Sequence, residues 1–199
     1  MTSIVRDLAD LVGALCADHD RVTVAIDGPD AAGKTTLAKD LAHEIRGHVV
    51  RASVDAFLHD ASIRYRRGEL SPEGCYRDSF DYARLQREVL QPFARGGDRA
   101  VLLVDGVFLL RPELRGAWTL SVYLDVSAGE SLRRAKRRDA ERFGVELERR
   151  YAERYLPAQD LYRAEADPVA VADVVLGYDD PARPDVRRWP APIDRPAPG

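Results

Sequence analysis

The run 21-RVTVAIDGPDAAGKTTLAKDLAH-43 decides the fold. Residues 21–26 alternate and are rich in β-branched side chains, which predicts a strand. Residues 34–46 carry helical spacing. Between them Gly28, Gly33, Lys34 and Thr35 satisfy the spacing G-x-x-x-x-G-K-S/T, in the strand-before, helix-after context that the pattern requires. The glycines let the backbone curl so that successive N–H groups point inward and cradle phosphate oxygens. The helix that follows presents free N–H groups and its positive dipole end to the same anion. Lys34 then supplies a mobile charge to the β- and γ-phosphates, and the Thr35 hydroxyl a ligand for Mg²⁺. The loop residues Gly28, Pro29, Asp30, Ala31, Ala32, Gly33, Lys34, Thr35 and Thr36 are therefore the expected nucleotide contacts.

Outward from this loop, apolar segments alternate between strand and helix patterns. Helical spacing is expected over 3–17 and 79–93, and short strands over 48–53, 100–105, 119–125 and 172–176. Pro112 marks an expected helix start. A charged helical stretch is expected from 128 to about 164, broken near Gly144 and Pro157. This order predicts an α/β three-layer sandwich around a mainly parallel five-stranded sheet, with 128–164 as a helical lid. The unit spans 1–180. The tail 181–199 holds half of the chain's prolines and is expected to be extended or disordered.

A net charge of −3 gives no global signal for nucleic acid or a membrane surface. The longest apolar runs are too short to span a bilayer, and the acidic N-terminal segment does not resemble a signal peptide. Cys16 and Cys75 have no metal-site spacing, and free thiols point to the cytoplasm. The oligomeric state stays open, a homo-oligomer included.

Ligands on such a sheet bind beyond the C-terminal strand ends. Asp27, Asp55, Asp105 and Asp125 all lie at or just after strand ends. In 101-VLLVDGVFLL-110 a buried strand delivers Asp105 to hold Mg²⁺. Asp55, in 53-SVDAFLH-59, is placed to face a transferred phosphoryl group and accept a hydroxyl proton. In 133-RRAKRRDAER-142, Arg134, Arg138 and Arg142 recur every four residues, with Arg133 and Arg137 in the adjacent row. Such a face is either solvated or a lid that closes on phosphates. The chain contains no asparagine and no DxxGQ, so it lacks an Asn-Lys-x-Asp guanine reader and the usual water-positioning glutamine of GTP switches. Phosphoryl transfer to a small-molecule hydroxyl fits better.

Together GPDAAGKTT, SVDAFLH, 78-DSFDYARL-85, VLLVDGVFLL, SLRRAKRRDAERFG and the later 150-RYAERYLPAQDLYRAEADPVAVADVVL-176 resemble the uridine/cytidine kinase family of phosphate-loop kinases, over roughly residues 20–180. The resemblance implies transfer of the γ-phosphoryl group of ATP or GTP, with Mg²⁺, to a nucleoside 5′-hydroxyl. By it Asp55 matches the catalytic acid close to the metal, Asp105 the acid of the second strand, and Arg134 and Arg138 lid arginines; Asp78 lies by the segment that contacts the ribose. Two departures concern the acceptor. Only 94-ARGGDRA-100 stands where the family has a base-contacting hairpin, and Cys75 falls where the family has a ribose-binding acid. The segment 57–78 offers Phe57, His59, Tyr65 and Tyr76 for stacking or hydrogen bonds, and Arg64, Arg66 and Arg67 for an anionic acceptor. An alcohol other than a nucleoside, and a nucleotide-binding regulatory protein without transfer, are the competing readings.

Overall fold

The computed structural model describes residues 3–144 and 146–191, apart from the side chains of residues 139–143. Six strands form one sheet in the order β2-β3-β1-β4-β5-β6. These are β1 Arg21–Asp27, β2 Val49–Ser53, β3 Ala100–Asp105, β4 Leu120–Asp125, β5 Val174–Gly177 and β6 Asp185–Arg188. The first five are parallel, and β6 runs antiparallel to β5. The expected five-stranded parallel sheet is thus present, with a sixth strand drawn from the tail. A proline-flanked segment is tolerated there because β6 is an edge strand, with no ladder partner on its outer side among the described residues. The expectation for residues 192–199 lies outside the described residues.

Each central strand is buried on both faces. Val22, Val24, Ile26, Val101 and Leu103 face one core, against α1 Ser3–Asp18 and α2 Lys34–Glu44. Ala25, Leu102 and Val104 face the other. This second core is closed by α4 Pro72–Asp78, by α5 Tyr82–Leu85 with its continuation α6 Gln91–Arg95, and by α9 Leu156–Ala166. The two-residue side-chain period of a strand is what divides the apolar set between two layers.

The long segment after β2 has more structure than its lack of periodicity suggests. A 3₁₀ turn covers Val54–Phe57, followed by the short helix α3 Ala61–Arg64 and then α4. Ser71 caps α4 by accepting from the Gly74 N–H at 3.1 Å. No α-helix starts at Pro112. The chain there makes i→i+3 turns, Leu114 N–H to Arg111 O and Ala117 N–H to Leu114 O, because nearby backbone groups are already engaged by tertiary partners. The Leu110 N–H, for example, donates to Tyr162 and Asp27.

The lid begins with α7 Ala128–Phe143 and turns at Gly144, which takes φ +53°. It resumes as α8 Glu146–Arg150 and does not break at Pro157. A π-turn over Tyr151–Tyr155 joins α8 to α9, and the Leu156 N–H donates to Tyr151 O, five residues back. Widening the helix just before a proline absorbs the missing N–H and relieves the ring's clash with the preceding turn. The same solution recurs at Pro92, preceded by a π-turn over Gln86–Leu90. The short α10 Pro168–Val171 leads into β5. Among the described residues no helix is long and apolar enough to cross a membrane.

Candidate functional site

The loop between β1 and α2 folds as its glycines require. Gly28 has φ +151° and a Cβ there would meet Leu124 O at 2.7 Å, and Gly33 has φ +99°. Beneath the loop the fully buried Asp27 accepts from Gly28 N–H at 2.6 Å, Leu110 N–H at 3.1 Å and the Tyr162 hydroxyl. Burial raises its pKa, and those donors and Lys34 work against the rise. Asp27 thus ties the base of the loop to the turn after β3 and to α9. Lys34 is itself buried and donates to Pro29 O across the loop at 2.6 Å. Its pKa is lowered, by burial first, against the pull of Asp30, Asp27, Asp55 and Asp105.

Residues Asp30 to Thr36 line a cavity of about 420 Å³, together with Asp55, Asp105, Arg134, Arg137 and Arg138. The Thr35 hydroxyl donates to an Asp105 carboxylate oxygen at 2.6 Å, and Ser53 contacts the same oxygen at 3.4 Å. β2 and β3 pair in register with Ser53 opposite Asp105, which fixes that geometry. A Thr hydroxyl and a carboxylate beside a phosphate cradle suit Mg²⁺, which prefers a few protein oxygens plus phosphate and water. No group of three or more His, Cys, Asp or Glu able to hold a metal exists among the described residues.

Asp55 sits in the 3₁₀ turn after β2, where its own N–H is accepted by Ser53 Oγ. The crowding protein raises its pKa, and Asp30 and Asp105 add to the effect while Lys34 and Arg138 oppose it. Asp55 also lines a second cavity of about 510 Å³, which shares Asp30, Val107 and Arg138 with the first. The two spaces therefore meet at a carboxylate.

The lid arginines divide by role. Arg138 reaches both cavities and pairs with Asp30 at 3.3 Å. Arg137 lines the first cavity. Arg134 lines it too, but donates to Ala32 O at 2.9 Å, Tyr178 O at 2.7 Å and Asp179 O at 3.0 Å, and pairs with Glu130 at 2.7 Å. It therefore braces α7 against the phosphate loop. Arg133 is exposed, pairs with Glu130 and lines neither cavity. The Arg142 side chain lies outside the described residues.

The expected acceptor contacts fare unevenly. Arg64 lines the second cavity, as do Tyr65 and Cys75. Phe57 and Tyr76 lie in the core instead, Tyr76 packed edge-on against Phe108. Asp78 is buried and held by Arg66 and by Arg67, the latter at 2.7 Å, so none of the three lines the cavity. His59, offered by the sequence for stacking or hydrogen bonds, lines neither cavity. Its backbone N–H donates to Ser79 O, which carries the chain away from Asp55. Sequence reasoning missed Arg150, Tyr151, Arg154, Tyr155 and Gln159, which α8, the π-turn and α9 deliver to the second cavity. Their one signal was a Tyr/Arg recurrence at three- and four-residue steps, which a lid's charged face disguises.

With this geometry the chain can be placed among known folds. A structure described as a possible uridine kinase from Bacillus stearothermophilus aligns at 23% identity over 85% of this chain and 98% of its own, with a TM-score of 0.64. The YGR205w protein aligns at 13% identity over 84% and 90%, with a TM-score of 0.55. The fold is of the phosphate-loop kinase type. No protein-family model and no curated protein matches the chain.

Proposed function

We propose that this protein is an ATP-dependent kinase of a small-molecule alcohol. The observation that carries the reading is Asp55: two carboxylates line both cavities, and the other, Asp30, is engaged by Arg138 and the Tyr151 hydroxyl. A triphosphate in the loop puts its γ-phosphorus on one side of Asp55, and an acceptor in the second cavity puts its hydroxyl on the other. Asp55 takes the hydroxyl proton, the acceptor oxygen bonds to the γ-phosphorus, and the bond to the β–γ bridging oxygen breaks, leaving ADP. The raised pKa makes Asp55 a better proton acceptor than an ordinary aspartate. Lys34 exchanges Pro29 O for phosphate oxygens, and Arg137 and Arg138 face the transferring group from the lid. Thr35 and Asp105 would hold Mg²⁺, which would neutralise phosphate charge. GTP is a competing donor.

For the acceptor, the resemblance to uridine/cytidine kinases favours a nucleoside 5′-hydroxyl, and so does the likeness to the possible uridine kinase. The arginines of the second cavity favour an alcohol of another kind, such as a phosphosugar. Free thiols at Cys16 and Cys75 favour the cytoplasm.

The test is ADP release from ATP–Mg²⁺ against nucleosides, phosphosugars and other alcohols. Asp55→Asn should lower acceptor-stimulated turnover by roughly 10²- to 10⁴-fold while ATP binding is kept. If no acceptor speeds ATP consumption and the variant equals wild type, the protein binds nucleotide without transfer.

A further inference from the structure

The second cavity is cationic beyond what the transfer chemistry uses. Four arginines line it, Arg64, Arg138, Arg150 and Arg154, against two aspartates, Asp30 and Asp55. Asp30 is committed to Arg138 and to the Tyr151 hydroxyl, and Arg150 pairs with Glu69. Arg64 and Arg154 have no carboxylate within ion-pair distance among the described residues.

Arg154 is the more telling of the two. It is 3% exposed, and its Nη1 is fixed by the carbonyls of Glu69 at 2.9 Å and Ser71 at 3.1 Å. Both guanidiniums lie over one ring, Arg64 at 5.2 Å and Arg154 at 5.1 Å from the Tyr65 centroid. The ring's negative face offsets part of their repulsion, but it does not neutralise the buried Arg154 and the half-buried Arg64 beside it. Arg64 Nε, a donor, and Gln159 Oε1, an acceptor on a side chain 5% exposed, are further polar atoms on this wall that are buried with no hydrogen-bond partner among the described residues. In native proteins such atoms are rarely left unsatisfied. The Cys75 thiol on the same wall is pushed up to about 11 by burial, so it adds no negative charge near neutral pH.

We propose that the acceptor alcohol carries an anionic group, a carboxylate or a phosphate ester, held between Arg64 and Arg154, and offers a hydroxyl to Gln159 Oε1. The proposal rests on the kinase reading and narrows its substrate. The anion satisfies Arg64 Nε and neutralises the pair over Tyr65, in the planar forked manner that suits guanidinium to oxyanions. Of the other arginines in the segment 57–78, Arg66 and Arg67 are spent on Asp78 and Arg77 on Glu165, and none of them takes part.

The test uses alcohols paired by charge: glucose with gluconate and glucose 6-phosphate, and ribose and uridine with ribose 5-phosphate, each scored by ADP release from ATP–Mg²⁺. The anionic members should saturate at concentrations at least tenfold lower than their neutral partners. The carboxylate and phosphate arms tell which oxyanion is preferred. Arg64→Met, a half-buried site that tolerates change, should raise the acceptor KM at least tenfold and leave the KM for ATP unchanged. Arg154→Met should do the same if it folds. Silence of every anionic member, or neutral members that saturate as well or better with Arg64→Met equal to wild type, overturns the inference. The kinase reading survives the second outcome, and falls only if neutral alcohols are silent too and Asp55→Asn matches wild type.

Discussion

The two cavities that meet at Asp55 are built in opposite ways. The phosphate side is local: seven of its residues, Asp30 to Thr36, are consecutive, and a strand and a helix hold them in one conformation. The acceptor side draws Arg64 from α3, Cys75 from α4, Phe108 from the turn after β3 and Arg154 from the π-turn. A cradle made by backbone N–H groups has to be contiguous, because each N–H must be aimed by its neighbours. A pocket that reads a small molecule by side chains has no such requirement, and its parts can come from anywhere that packing brings together. The donor half should therefore fail as a unit when damaged, whereas the acceptor half should fail one contact at a time.

The largest break expected from this contrast is at Lys34. Lys34→Met removes the one mobile cation of the loop and should lower kcat by roughly 10²- to 10³-fold with every acceptor. Steady-state kinetics with two unlike acceptors checks this; a loss confined to one acceptor would contradict it. Next is the loop backbone. Gly28→Ala brings a Cβ to 2.7 Å from Leu124 O at φ +151°, whereas Gly47 has φ +109° and nothing within 4 Å. Gly28→Ala should cost about 1–3 kcal/mol by denaturant midpoint, and Gly47→Ala less, since it bears the dihedral strain alone. The smallest effect is at the lid's brace. The guanidiniums of Arg133 and then Arg134 hold the Glu130 carboxyl at about 2, below its ordinary 4.5. A depressed carboxyl contributes stability that is complete above its ordinary value and lost as pH falls from there toward 2. Thermal melting across that window should fall more steeply for wild type than for Glu130→Gln. Because Arg133, the first of the two partners, is exposed, the difference should be a few degrees at most.

The same contrast explains what could be read in advance. The loop, the strand ends that carry Asp55 and Asp105, and the order of strands and helices follow from periodicity and spacing, which are local properties. Asp78 and Tyr76 do not line the second cavity: their neighbours in sequence are functional in type, but their neighbours in space are Arg66, Arg67 and Phe108. Pro157 was read as a break because a proline's local effect is to stop a helix. The π-turn before it is a response of the whole lid, which keeps Tyr151 and Tyr155 packed edge to face.

By itself, then, the sequence determined a parallel α/β sheet, a phosphate cradle and the carboxylates beside it, because each is encoded by residues a few positions apart. Tertiary structure alone decided which arginines line the second cavity and which do not. Arg66, Arg67 and Arg134 look no different from Arg64, Arg138 and Arg154 along the chain. They differ only in what folding places beside them: Asp78 for the first two and the carbonyls of Ala32 and Tyr178 for the third. A charge acquires a role from its partners in space, and that information is not carried by spacing.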